Sequence, residues 1–136
     1  MENKIICLDT SVLIDYFRKK NKQNTFFFQL TKKYSIFAVS VITEYEIYIG
    51  SNSEQEKFWN NFFKFLTILP VNSYVIKNAV EIEKKLKKTR KSIDIPDLFI
   101  AATTLENKMA LATLNTKHFQ NIEKIQLITL SSTLRT

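Results

Sequence analysis

The chain is poor in residues that break or staple a fold: one glycine, two prolines and one cysteine among 136 residues. A single cysteine excludes an internal disulfide, and Cys7, set between Ile6 and Leu8, reads as a small core residue. One glycine cannot build a Walker-type phosphate loop or a dinucleotide-binding fingerprint. So few helix breakers favour long helices over tight hairpins. His118 is the only histidine, which excludes His-rich zinc sites. A Ser-His-Asp triad would have to use it, and no Gly-x-Ser-x-Gly elbow is present. No apolar run is long enough to cross a bilayer, and Ile5 to Leu8 is too short for a signal-peptide core. A soluble, cytoplasmic protein without membrane contact is therefore expected.

What is present suits one domain spanning residues 1–136. Hydrophobic residues make up 45% of the chain, enough for a buried core. The formal net charge is +7, which attracts polyanions such as nucleic acid. The same excess also fits a chain whose default surface residue is lysine, and charge alone leaves both readings open.

Apolar runs at Lys4–Leu8 and Ser35–Val39 read as buried strands, with further strands expected at Thr67–Val71, Ala110–Leu114 and Gln126–Leu130. Asp9, Thr10 and Ser11 are N-cap types, followed by Val12, Leu13, Tyr16 and Phe17 at helical spacing. After a charged turn at Arg18–Lys22, a second helix is expected over Gln23–Lys33. Ser40 reads as the cap of a helix over Val41–Ile49 that Gly50 closes at C′. Glu54–Leu66 is amphipathic, with Phe58, Phe62 and Phe65 on one stripe and Trp59, Phe63 and Leu66 beside it. Tyr74–Lys88 is expected to be helical with a basic outer face. So is Asp94–Glu106, whose opening Asp-Ile-Pro-Asp resembles a capping box with Pro in the first turn. Strands alternating with helices predict an α/β fold with a mainly parallel sheet. Ligands of such sheets sit outside the carboxyl ends of the strands, where Asp9 and Asn115 fall.

Most acids lie among lysines, but three interrupt apolar sequence. Asp9 follows Ile-Ile-Cys-Leu, Glu46 lies within Val41–Gly50, and Asp97 precedes Leu-Phe-Ile-Ala-Ala. A charge in such a setting is costly unless paired or bound to metal. Three converging carboxylates repel one another without a cation, and Mg²⁺ and Mn²⁺ favour carboxylate oxygens. Each acid also has a plainer role available: an N-cap for Asp9, the N3 acid of a capping box for Asp97, a helical surface residue for Glu46. Glu44 and Asp94 are neighbouring acids to tell apart from these, Asp94 reading as the N-cap. The aromatic stripe around Trp59 is most simply core, with enough area to leave some for a partner.

Taken in order, the motifs resemble the PIN domain, and within it the VapC-type toxins of toxin–antitoxin pairs. Leu-Asp-Thr-Ser-Val-Leu-Ile-Asp at 8–15 is similar to the family's first motif and residues 41–50 to its second. There the family glutamate stands three after Thr43 and four before Gly50, which selects Glu46 over Glu44. Asp97–Leu105 resembles the third motif and Leu111–Phe119 the fourth. The resemblance implies a sandwich of a parallel sheet between helices, the three-layer α/β/α arrangement. It implies an endoribonuclease that uses Mg²⁺ or Mn²⁺ to cut structured RNA such as tRNA or rRNA. It further implies a homodimer, inhibition by a cognate VapB-type antitoxin, and contact with operator DNA only through the toxin–antitoxin complex. Many relatives carry further acids in the fourth motif, where this chain has Asn115 and His118, so a tightly held second metal is not expected.

The reading that results assigns Asp9, Glu46 and Asp97 as metal ligands with Asn115 assisting. Lys117, with the Lys84–Lys91 run, is expected on RNA phosphates. Thr10 and Ser11 are placed to fix Asp9 or a metal-bound water. His118 is either a surface residue or near a phosphate. Two other readings of the same residues stand beside this one. Asp9 followed by Thr10 also suits the nucleophile of a haloacid-dehalogenase-type phosphotransferase, although Ser11 stands where that family wants a second Asp. A non-catalytic PIN-like module that binds RNA or protein is the other.

Overall fold

A computed structural model of the chain describes residues 4–133. Five strands form one sheet in the order β3-β2-β1-β4-β5, every neighbouring pair parallel. They are β1 (Ile5–Leu8), β2 (Ile36–Ser40), β3 (Thr67–Leu69), β4 (Leu111–Ala112) and β5 (Leu127–Ile128). The helices are α1 (Thr10–Arg18), α2 (Phe26–Leu30), α3 (Val41–Ile49), α4 (Ser53–Phe62), α5 (Ser73–Lys88), α6 (Ile95–Glu106), α7 (Thr116–Phe119) and α8 (Leu130–Thr133).

The central strands are buried on both faces, which is why they read as unbroken apolar runs. Their side chains alternate between two cores. Cys7 and Ala38 face Val75, Ala79, Ile82 and Leu86 of α5 and Leu98, Ile100 and Ala101 of α6. Ile6, Leu8, Phe37 and Val39 face Val12 and Leu13 of α1, Phe26 and Leu30 of α2, and Trp59 of α4. Helices thus cover both faces, giving the expected three-layer α/β/α sandwich. Burial raises the Cys7 thiol to about 11, so it is a neutral packing group at physiological pH. Among the described residues no helix is long and apolar enough to cross a membrane.

Several local expectations change. The helix expected over Gln23–Lys33 is split into a 3₁₀ turn at Lys22–Asn24 and the short α2. Thr25 breaks it, taking extended backbone and accepting from the Phe28 N–H. Gly50 closes α3 with φ −91°, not in the left-handed conformation a C′ glycine adopts, and a Cβ there would make only ordinary contacts. The α4 stripe ends early. A 3₁₀ turn at Phe63–Phe65 rotates Phe65 outward, leaving it 83% exposed, while Trp59 and Phe63 carry the burial. Strands three to five are shorter than expected, and α5 begins one residue earlier than expected, at Ser73, capped by Asn72. Ser40 does cap α3, accepting from the Ile42 N–H.

The strand order sets the site. The chain leaves β1 for β2 and β3 on one side, then crosses to β4 and β5 on the other. A cleft therefore opens between the carboxyl ends of β1 and β4, the place where such sheets bind ligands.

Candidate active site

Asp9 leaves β1 as the first residue beyond the sheet, its N–H bonded to Ala112 O at 2.9 Å. It stands at the N-cap position of α1 but makes no side-chain cap bond. Its Oδ2 instead accepts from Ser11 Oγ at 2.7 Å and Thr113 Oγ1 at 2.8 Å. Asp9 is 3% exposed and Thr113 fully buried. Thr113 Oγ1 in turn accepts from the Asn115 N–H at 2.9 Å, so one hydroxyl ties the loop after β4 to the acid after β1.

Glu46 projects from the second turn of α3. Thr10 Oγ1 donates to its Oε1 at 2.7 Å and lies 2.9 Å from Thr43 Oγ1. Thr10 has one hydroxyl proton, and the charged acceptor takes it, so Thr43 supplies the proton for the second bond. Of the two hydroxyls expected near Asp9, Ser11 serves Asp9 and Thr10 serves Glu46.

Asp97 lies in the first turn of α6, behind Asp94 at the N-cap position, but no capping box forms because Asp94 makes no side-chain cap bond. Asp97 Oδ2 meets His118 Nδ1 at 3.0 Å. Burial, then the nearby Asp9 carboxylate, push its pKa up; His118 pulls it down, and Glu46 and Asp94 add to the upward push. That coupling to both Asp9 and Glu46 marks the three acids as one electrostatic set.

All three line one cleft of about 860 Å³, together with Asn115, His118, Asp94, Asp15 and Arg18. Glu44 does not line it. Lys117 lies alongside, lining a smaller hollow with Ser92, Asp97 and His118. Asp15 is a different kind of acid. Its two oxygens are taken by Lys19 Nζ at 2.9 Å and by the N–H of Phe26 at 3.0 Å, so it fastens α1 to the start of α2.

Hard oxygen donors of like charge in one cleft suit Mg²⁺ or Mn²⁺. Among the described residues no three Asp, Glu, His or Cys side chains are gathered closely enough to enclose an ion unaided. Mg²⁺ needs no such cage, since one or two carboxylates and several waters suffice. The residues present fit a hydrated divalent cation.

Sequence reasoning missed Arg18 as a member of the cleft, Thr113 and Thr43 as the buried hydroxyls behind Asp9 and Thr10, and the contact between His118 and Asp97. The Thr-x-x-Glu spacing on α3 was the one available signal, because it places Thr43 one turn below Glu46.

The family model of the PIN domain matches residues 6–125. The chain belongs to the PIN-domain family. It is 35% identical to ribonuclease VapC1 of Methanocaldococcus jannaschii, over 93% of this chain and 86% of that protein. It is 30% identical to ribonuclease VapC1 of Rickettsia felis, over 93% and 97% respectively. In fold it is similar to a Rickettsia felis VapBC2 structure bound to promoter DNA, with TM-score 0.80, 22% identity and coverage of 92% and 98%. It is also similar to a DNA-bound Salmonella typhimurium VapBC structure, with TM-score 0.81, 19% identity and coverage of 95% and 99%. With PIN membership established, the haloacid-dehalogenase reading of Asp9 is set aside. Ser11, which stands where a second Asp would be needed, serves the PIN cleft as the hydroxyl that holds Asp9.

Proposed function

We propose that this PIN domain is the ribonuclease toxin of a VapBC-type pair, cutting structured RNA such as tRNA or rRNA by divalent-metal-assisted hydrolysis. The observation that carries the reading is the convergence of Asp9, Glu46 and Asp97 on a single cleft at the switch point of the sheet. Two VapC ribonucleases among its relatives support the activity. Complexes of VapB and VapC among its structural neighbours support an antitoxin partner. Operator DNA is then reached through that complex, and a homodimer is the assembly proposed.

Asp9, Glu46 and Asp97 would hold Mg²⁺ or Mn²⁺, with Asn115 at the rim. Bound there, the cation polarises a phosphoryl oxygen and acidifies a water. The chain's own part is to hold three anionic oxygens in place before substrate arrives. Ser11, Thr113 and Thr10 spend their hydroxyl protons on that task. Arg18 and Lys117, both exposed beside the cleft, are placed to bind RNA phosphates; the Lys84–Lys91 run lines neither hollow, and its Lys85 pairs with Glu123.

The test is the purified chain on total RNA with Mn²⁺, set against Asp9→Asn and Asp97→Asn. Each variant is expected to lose about a hundredfold or more in rate, as removal of several kcal/mol of transition-state stabilisation requires. Cleavage at the wild-type rate by both would end the assignment. RNA binding by the wild type without metal-dependent cleavage would favour the non-catalytic module.

A further inference from the structure

The three acids share a pattern that Asp15 breaks. Ser11 and Thr113 hold Oδ2 of Asp9, and Thr10 holds Oε1 of Glu46. His118 holds Oδ2 of Asp97. In each case no hydrogen bond from the described residues reaches the second oxygen, whereas both oxygens of Asp15 are engaged. One oxygen tied and one left over is what a metal-ligating carboxylate needs, because the tie fixes the rotamer without using the coordinating atom.

We propose that His118 is the positioning residue for Asp97: its Nδ1–H ties Oδ2 and leaves Oδ1 for the divalent cation, the part that hydroxyls play for Asp9 and Glu46. The inference rests on the metal-dependent reading above. A carboxylate only accepts, so the ring nitrogen facing it carries the proton. The backbone under His118 is well anchored. Its N–H bonds to Asn115 O at 3.0 Å, and the next residue, Phe119, is fully buried in the core beneath α5 and α6. The His118 side chain itself is half exposed, so it supports little packing. Asp97 has particular need of such a tie. It sits in the first turn of a helix, with no cap bond at that end to steady it.

The experiment is calorimetric titration of the full chain with Mn²⁺, without RNA, for wild type, His118→Ala and His118→Asn. An Asn amide nitrogen can stand where Nδ1 stands and donate to the same oxygen. His118→Ala is expected to bind Mn²⁺ about tenfold or more weakly, the usual consequence of losing a partner that orients a ligand. His118→Asn is expected to recover most of that affinity. The thermal midpoints of all three should agree closely, which separates positioning from a structural role. Wild-type affinity in His118→Ala, or equal weakness in the two variants, would overturn the inference while leaving the nuclease reading intact. Absence of Mn²⁺ binding by the wild type would take down both.

Discussion

The hydroxyl of Thr113 donates to the carboxylate of Asp9 across 104 residues of chain, at 2.8 Å. Both groups are buried, so the bond has no water to replace it. It joins the two strands between which the sheet reverses its order, and it fixes the first candidate ligand.

Thr113→Val keeps the shape and removes the donor. Ser11 still serves Asp9, so the loss in stability is expected at about 1–2 kcal/mol, towards the lower end for a disrupted buried bond. Urea unfolding measures it. Mn²⁺ affinity should fall by about tenfold or more in the same variant. An unchanged affinity would mean that Ser11 alone suffices.

Glu46 and Glu44 differ by two positions on α3 and by which side of the helix they occupy. Only Glu46 lines the cleft and receives the Thr10 hydroxyl. Glu46→Gln is expected to lower RNA cleavage by about a hundredfold or more, and Glu44→Gln to leave it near wild type. Initial rates on a labelled RNA at saturating Mn²⁺ distinguish them. The reverse order would move the site to the other side of α3.

Burial, with Asp9 next to it, raises the Asp97 pKa in the folded state. The folded chain then holds that proton more tightly than the unfolded one. Its contribution to stability is present below the unfolded value and lost as pH rises through the folded one. At neutral pH the ionised group therefore weighs against folding. In metal-free buffer, Asp97→Asn should melt above wild type at neutral pH, and the gap should close as pH falls into the carboxylate range. Melting curves across that range check the sign, and a gap that widened on acidification would contradict it.

Trp59 and Phe65 lie six residues apart in one amphipathic run and have opposite fates. Trp59 is 3% exposed and packs on Phe17, Phe58, Phe62 and Phe63, whereas Phe65 is largely in solvent. Trp59→Ala is expected to cost about 3–5 kcal/mol. Phe65→Ala should stay within about 0.5 kcal/mol of wild type. Denaturant midpoints of the two variants give the comparison.

Much of this was legible in the sequence wherever a local rule was enough. The apolar runs of β1 and β2 are read directly because both faces are buried, and Ser40 before Val41 is a cap by chemistry. Asp9, Glu46 and Asp97 stood out because each breaks an apolar stretch. The Thr113 and His118 contacts were not legible, since they depend on which strands and loops become neighbours. Phe65 was misplaced because helical periodicity was carried past the point where α4 tightens into a 3₁₀ turn. Thr25 was missed as a helix breaker because a threonine can sit inside a helix as well as cap one.

The union of β1 with β4 also orders events in time. The pairing brings residues 7–8 against 111–112, and a parallel contact so remote in sequence is slow to close. During synthesis Asp9 is made early, Glu46 and Asp97 later, and none has its final surroundings until Thr113 has been added. A growing or truncated chain that stops short of that threonine carries all three acids but no assembled cleft. For the nuclease proposed above, the fold itself would withhold the assembled cleft until the chain has been made past Thr113.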